Sequence, residues 1–287
     1  MSIATPALPH TSPNLPAGCL ARLGKVRAMH FLASGSAHAH WLIDSVDGEQ
    51  PRHVWRASAS PATTPGASEQ AEVSALRSIA GRPWAPRLLA HYPGEGLLFE
   101  YIEGEHPEPA TLAPAARTAL IDVLLECWQT PCAGPPRDYP ALVRDYARRA
   151  APGATRDRLV TALLADCARW PATVSRFTHH DLHAGNLLIA ADGQWHLLDW
   201  EYAGPGNPWF DAAALDIMLV LQPDERQRIE TLLGPAPPGH WARMRDWHRR
   251  LGQLWALART DGPHLPTKPH GQCICPPIRR HAPDGPK

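Results

Sequence analysis

The chain has 287 residues, and 28 Lys+Arg against 28 Asp+Glu give it a formal charge of zero. That length admits one large domain or two modest lobes around a sizeable core, and the charge balance leaves no surplus of cations to displace counterions from a nucleic-acid backbone, which excludes broad nucleic-acid binding. Hydrophobic residues at 44% are globular in proportion, whereas 32 prolines are about twice the usual ~5% and predict extensive loops.

The prolines set the outer limits. Four fall within the first sixteen residues and seven between Pro263 and Pro286, so residues 1–17 are expected to be a flexible leader and 263–287 a disordered tail. The opening MSIATPALPHTSPNLPAGCL lacks a basic start and an unbroken apolar run, and no stretch reaches the ~20 apolar residues that a bilayer requires. A cytoplasmic protein with no membrane partner is therefore expected. The six cysteines contain no Cys-x-x-Cys pair and read as reduced thiols; Cys273 and Cys275, among tail prolines, are assigned no function.

Between these ends, Met29–Leu32, His40–Asp44 and residues 53–56 read as strands, the first two flanking ASGSAHA. Ser68 can cap a helix from Glu69 to Ala80, with Val73, Leu76 and Ile79 on one face and Gly81 ending it. Two extended segments, Pro86–Ala90 and Gly96–Ile102, complete a strand-rich part over 18–103. From 104 to 262 the pattern turns helical: 112–129, 141–149, 155–169, 209–221 and 239–260. Trp241, Met244, Trp247, Leu251, Leu254 and Trp255 recur at helical spacing, so most of these rings belong to core. The exception lies in 176–201, where the polar loop HHDLHAGN precedes a hairpin made of LLIA, a turn and WHLLDW.

That hairpin brings Asp181, Asn186 and Asp199 to one end. Phosphoryl transfer asks a protein for oxygen ligands that hold cations against phosphates and for a carboxylate beside the attacking hydroxyl. His179, Asp181 and Asn186 have the His-x-Asp-x-x-x-x-Asn spacing that supplies base and cation ligand in kinases, with Asp199 as a second metal-binding acid.

The segment THHDLHAGNLLIAADGQWHLLDWEYAGPGNPWFDAAAL resembles the aminoglycoside phosphotransferase, choline kinase and thiamine kinase superfamily, except that His180 replaces the family's usual glycine. The resemblance implies an α+β, bilobal protein-kinase-like fold, with a small antiparallel-sheet N-lobe carrying one helix and a larger, mainly helical C-lobe carrying the catalytic hairpin. It implies Asp181 as base, Asn186 and Asp199 as Mg²⁺ ligands, His179 as a loop-ordering residue and Asp211 as a brace for the catalytic loop. His183 is expected to steady the loop, with a substrate contact as the alternative. PRLLAHYPGEGLLFEYIEGEH resembles the family's strand and hinge, which places Glu100 and Ile102 beside ATP; Gly35 and Ser36 lie in the phosphate loop, and Arg56 would orient phosphates with Glu72, or with Glu69 as the alternative partner. Tyr202 and Trp209 are the pocket candidates for an acceptor, and Glu201 is either a cation-binding acid or framework.

The expected function is an ATP- and Mg²⁺-dependent kinase acting on a hydroxyl of a small cationic metabolite of the thiamine or choline/ethanolamine type. Three readings stay open beside it: an aminoglycoside phosphotransferase, a metal-dependent hydrolase built from His179, His183, Asp181 and Asp199, and a nucleotide-binding regulator without catalysis. Oligomeric state is open.

Overall fold

A computed structural model describes residues 13–34, 38–45, 52–58 and 67–258; Gly35, Ser36, Cys273 and Cys275 lie outside the described residues. The fold is α+β and protein-kinase-like. Its first part is a five-stranded antiparallel sheet in the order β1-β2-β3-β5-β4, made of β1 (Val26–Ser34), β2 (Ala39–Ser45), β3 (His53–Ala57), β4 (Leu88–Tyr92) and β5 (Gly96–Glu100). The register sets Arg56 opposite His40 on β2 and Leu97 on β5.

Helix α1 (Ala17–Leu23) packs Cys19 and Leu23 against Trp41, Ile43, Trp55 and Leu98. Helix α2 (Glu69–Ser78) starts where Ser68 Oγ accepts the Ala71 amide at 3.3 Å. Val73 and Leu76 of α2 join Trp84 and Leu97 in a core that continues without a break into the helical part through Leu120, Leu124, Trp200 and Leu215. At ~1.5–3 kcal/mol for each fully buried large apolar side chain, this shared core holds the sheet against the helices.

The second part contains α3 (Pro114–Trp128), α4 (Tyr139–Arg149), α5 (Ala154–Cys167), α6 (Trp209–Leu219), α7 (Pro223–Leu233) and α8 (His240–Ala258). The short strand β6 (Gly104–Glu105) pairs with β8 (Leu187–Ala190), which pairs with β9 (Trp195–Leu197); β7 (Arg176–Thr178) pairs with β10 (Gly204–Gly206). These pairings bring the ends of both polar segments, 179–186 and 198–203, to one place. No helix among the described residues is long and apolar enough to cross a membrane.

The expected strands and helices appear with shifts of a few residues at their ends. The sequence reading passed over α1, α7 and the short strands β6, β7 and β10. Leu15, within the segment expected to be a leader, packs against the α1 cluster.

Candidate active site

The loop after β7 is tied down from below by Asp211 on α6. Its Oδ2 accepts the His179 amide at 2.8 Å and Trp128 Nε1 at 3.1 Å, and its Oδ1 accepts the His180 amide at 2.9 Å. Burial pushes the Asp211 carboxyl up to about 6, with these three N–H donors acting against the rise. His179 is fully buried: its Nε2 lies 2.9 Å from the Leu198 carbonyl and its Nδ1 accepts the Asp181 amide at 3.3 Å. A neutral ring with the proton on Nε2 satisfies both contacts, and burial lowers its pKa to about 4.

Asn186, in a single 3-10 turn (Ala184–Asn186), donates from Nδ2 to the Asp181 carbonyl at 2.9 Å and to Asp181 Oδ2 at 3.0 Å. Asp181 is thereby fixed in direction, and the carbonyl Oδ1 of Asn186 is the atom available to a cation. His183 caps the turn by accepting the Gly185 amide on Nδ1 at 3.0 Å, and its Nε2 is 3.7 Å from Asp181 Oδ2.

Asp199 has a left-handed backbone (φ 59°), which turns its side chain out of the line of β9. Its carboxyl pKa is raised, first by burial and then by Glu201, while Arg56 opposes the shift. Asp181 is pushed up to about 8 by burial and next by Asp199 and Glu201. Three carboxylates therefore share one partly buried site and repel one another. Asp199 Oδ1 and Glu201 Oε2 are both buried with no hydrogen-bond partner among the described residues. An anionic oxygen that meets its neighbours only at ion-pair distance, as Asp199 Oδ1 meets Arg56, suits a hard cation, and Asp199 with the Asn186 amide carbonyl is a donor set that fits Mg²⁺ with phosphate oxygens completing the shell.

From the sheet, Arg56 forms a two-pronged pair with Glu72, Nη1 to Oε1 at 2.6 Å and Nη2 to Oε2, with both residues buried. Arg56 Nη1 is also 3.5 Å from Asp199 Oδ1, so one guanidinium joins sheet, α2 and the acid of the second part. Glu69 is not the partner: it accepts from Ser58 Oγ at 2.8 Å and the Gly94 amide at 3.1 Å and lies 2.7 Å from His91 Nε2.

Two expected contacts are corrected. Trp209 is 3% exposed, with its ring edge-on to His240 and Trp241 in the core, because α6 is buried from Trp209 through Asp216 and turns its first residue inward. The Glu100 side chain pairs with Arg87 at 2.9 Å on the surface, which leaves only its main chain for a nucleotide. Ile102 lies half-buried in the irregular stretch between β5 and β6. Tyr202 is buried, within electrostatic range of Glu201, Asp181 and Asp199.

Tyr146 of α4 was not anticipated; it is buried and feels the charges of Asp181 and Glu201. His38, also passed over, has Nε2 3.2 Å from Glu201 Oε2 across the two parts of the molecule. No local motif marks either residue, because both reach the site through tertiary packing. The hydrolase reading is not supported: both ring nitrogens of His179 face backbone groups, and among the described residues no cluster of three or more His, Cys, Asp or Glu side chains could hold a metal.

Residues 29–247 match the family model described as the phosphotransferase enzyme family. Thiamine kinase of Salmonella gallinarum is similar at 27% identity over 185 residues, 57% of this chain and 59% of that protein, and thiamine kinase of Salmonella newport matches to the same extent. The chain thus spans 59% of the length of these curated relatives. Among solved structures, a choline kinase from Streptococcus pneumoniae superposes with a TM-score of 0.67 at 15% identity, over 84% of this chain and 88% of that one. A spectinomycin phosphotransferase superposes at 0.60 and 13% identity, over 84% of each chain.

Proposed function

The chain belongs to the phosphotransferase enzyme family, and from that premise we propose that it transfers the terminal phosphoryl group of ATP to a hydroxyl of a small cationic metabolite of the thiamine or choline/ethanolamine type. The observation that carries the reading is the meeting of Asp181, held by Asn186, with the carboxylates of Asp199 and Glu201 and the Arg56–Glu72 pair. The similarity to thiamine kinases supports the acceptor class.

Asn186 Oδ1 and Asp199 would hold Mg²⁺, and Arg56, aligned by Glu72, faces the phosphates with its remaining donor capacity. When bound, Mg²⁺ neutralises charge on the phosphate oxygens. Asp181 accepts the acceptor's hydroxyl proton as the new O–P bond forms and the bond to ADP breaks. Asn186 orients the Asp181 carboxylate, and Asp211 and His179 keep the loop from shifting. Glu201, beside Asp181, attracts the acceptor's cationic group, with the buried Tyr146 and Tyr202 within electrostatic range of the same acids.

The test is ADP release by purified protein with ATP, Mg²⁺ and a panel of thiamine, choline, ethanolamine and aminoglycosides. Release that depends on thiamine, choline or ethanolamine is expected. Release with aminoglycosides alone would move the acceptor class, and none with any acceptor would sink the reading.

A further inference from the structure

His180 has the left-handed backbone φ of 67° that glycine adopts without cost. The ring is nevertheless fully engaged. Its Nδ1 lies 3.1 Å from the Tyr202 carbonyl, and its Nε2 is 2.9 Å from the Tyr139 hydroxyl, which itself accepts the Asn207 amide at 2.8 Å. One neutral tautomer satisfies all three contacts: Nδ1–H donates to Tyr202, and Nε2 accepts from Tyr139. The slot for the ring exists because residue 206 is glycine; a Cβ there would fall 2.3 Å from His180 Nε2 and 2.9 Å from the Tyr139 hydroxyl.

The contact has a specific place. The triplet Asp199-Trp200-Glu201 carries the acids of the site and is itself strained at Asp199. Its upstream neighbour Leu198 is held by His179 Nε2 at its carbonyl and by the Asn186 carbonyl at its amide, 2.9 and 2.8 Å away. Its downstream neighbour Tyr202 is held at its carbonyl by His180 Nδ1 at 3.1 Å and by Arg137 Nη2 at 2.5 Å. Consecutive histidines of the loop therefore grip the acid triplet at both ends, and a glycine at 180 would leave the downstream end tied to Arg137 alone, with no bond to the loop that carries Asp181.

We infer that His180 is a positioning residue: through its Nδ1–H bond to Tyr202 it locks the segment that carries Asp199 and Glu201 to the loop that carries Asp181, and so fixes the geometry in which the Mg²⁺-nucleotide is held. The inference rests on the function proposed above for this site.

Side-chain length provides the test. An asparagine amide nitrogen can donate from where His Nδ1 lies, and a glutamine side-chain carbonyl can accept where Nε2 lies. His180→Asn keeps the bond to Tyr202 and gives up the one to Tyr139; His180→Gln does the reverse; His180→Gly gives up both while relieving the backbone. Binding of a non-hydrolysable ATP analogue with Mg²⁺ is measured by calorimetry for the four proteins, with melting temperatures recorded without ligand. His180→Asn should bind within ~2–3-fold of wild type, and His180→Gln and His180→Gly about tenfold more weakly, the effect of one hydrogen bond. That order should not follow the order of melting temperatures, as it would if the ring only filled space.

Equal affinities in all four, or Asn and Gln weakened alike, would overturn the inference, as would absence of Mg²⁺-dependent binding by the wild type. If the wild type binds the analogue but phosphorylates no acceptor, the proposed function fails while the affinity order still decides the role of His180.

Discussion

Asp181 shows the conflict between function and stability in a single side chain. Burial and the charges of Asp199 and Glu201 raise its pKa to about 8, well above the ordinary carboxylate range. Such a group contributes stability that is fully present below its unfolded pKa near 3.9 and lost as pH rises toward 8, where the folded protein must carry a crowded charge. Asp181→Asn removes that charge and keeps the shape. Acceptor-dependent turnover should fall by roughly 10²–10⁴-fold, the usual worth of a positioned base, while the ligand-free protein gains stability. With 37% of the side chain open to solvent, screening cuts the gain to about 1 kcal/mol, or roughly 2–4 °C in Tm. Scanning calorimetry should show the difference at pH 8 and its disappearance near pH 4; near-normal turnover in the variant would remove Asp181 from the role of base. At this scale the sequence was most legible where chemistry is local. His179, Asp181 and Asn186 occupy eight consecutive positions, so spacing alone displays them. Trp209 misled because nearness in sequence to Asp199 says nothing about direction once a helix is buried on all sides. His38 pairs with Glu201 from 163 positions away, and only the folded chain brings the two together.

Among the elements, α6 matters most, because it delivers Asp211 to the underside of the loop that carries His179, His180 and Asp181. Three N–H donors converge on two oxygens there. Asp211→Asn replaces one oxygen with a donor, so whichever way the amide turns, at least one buried N–H faces another N–H. The expected loss is about 1–3 kcal/mol in a denaturant titration, with kcat reduced because the loop is no longer held at His179 and His180. An unchanged denaturation midpoint would mean that the brace carries no energy. The elements also divide by legibility. Helix α2 announced itself through Ser68 and its apolar face. Helix α7 had equivalent signals, Pro223 at its first position and Glu225 returning to the Gln222 amide at 2.8 Å, and Arg117 of α3 then anchors Glu225. What hid it was a polar surface without a clear stripe. Helix α1 could not be read locally at all: seven residues are too few for a helix to persist unaided, and Cys19 and Leu23 form one only because Trp41 and Trp55 are there to cover them.

Across the whole molecule, the zero net charge conceals an uneven distribution. Asp181, Asp199, Glu201 and Glu72 meet where the sheet joins the helices, with the Arg56 guanidinium against Glu72 and Asp199 and the imidazoles of His38 and His183 beside Glu201 and Asp181. A neutral protein exerts little long-range pull, so any attraction for a cationic acceptor must come from this local field, focused by its low-dielectric walls. Salt shortens the reach of such a field from ~10 Å at 0.1 M toward ~3 Å at 1 M, yet it hardly alters contacts between groups already buried together. The expected outcome is therefore split: between about 0.05 and 0.5 M ionic strength, KM for a quaternary-ammonium or thiazolium acceptor rises several-fold while kcat stays level. An uncharged alcohol of similar size, if accepted at all, should show no such rise. Steady-state kinetics at fixed Mg²⁺-ATP across that range decides it. A salt-independent KM for the cation would mean that the acids of this site serve the nucleotide alone and that the acceptor is recognised by its shape, in which case Tyr146 and Tyr202 rather than Glu201 would set what the enzyme takes.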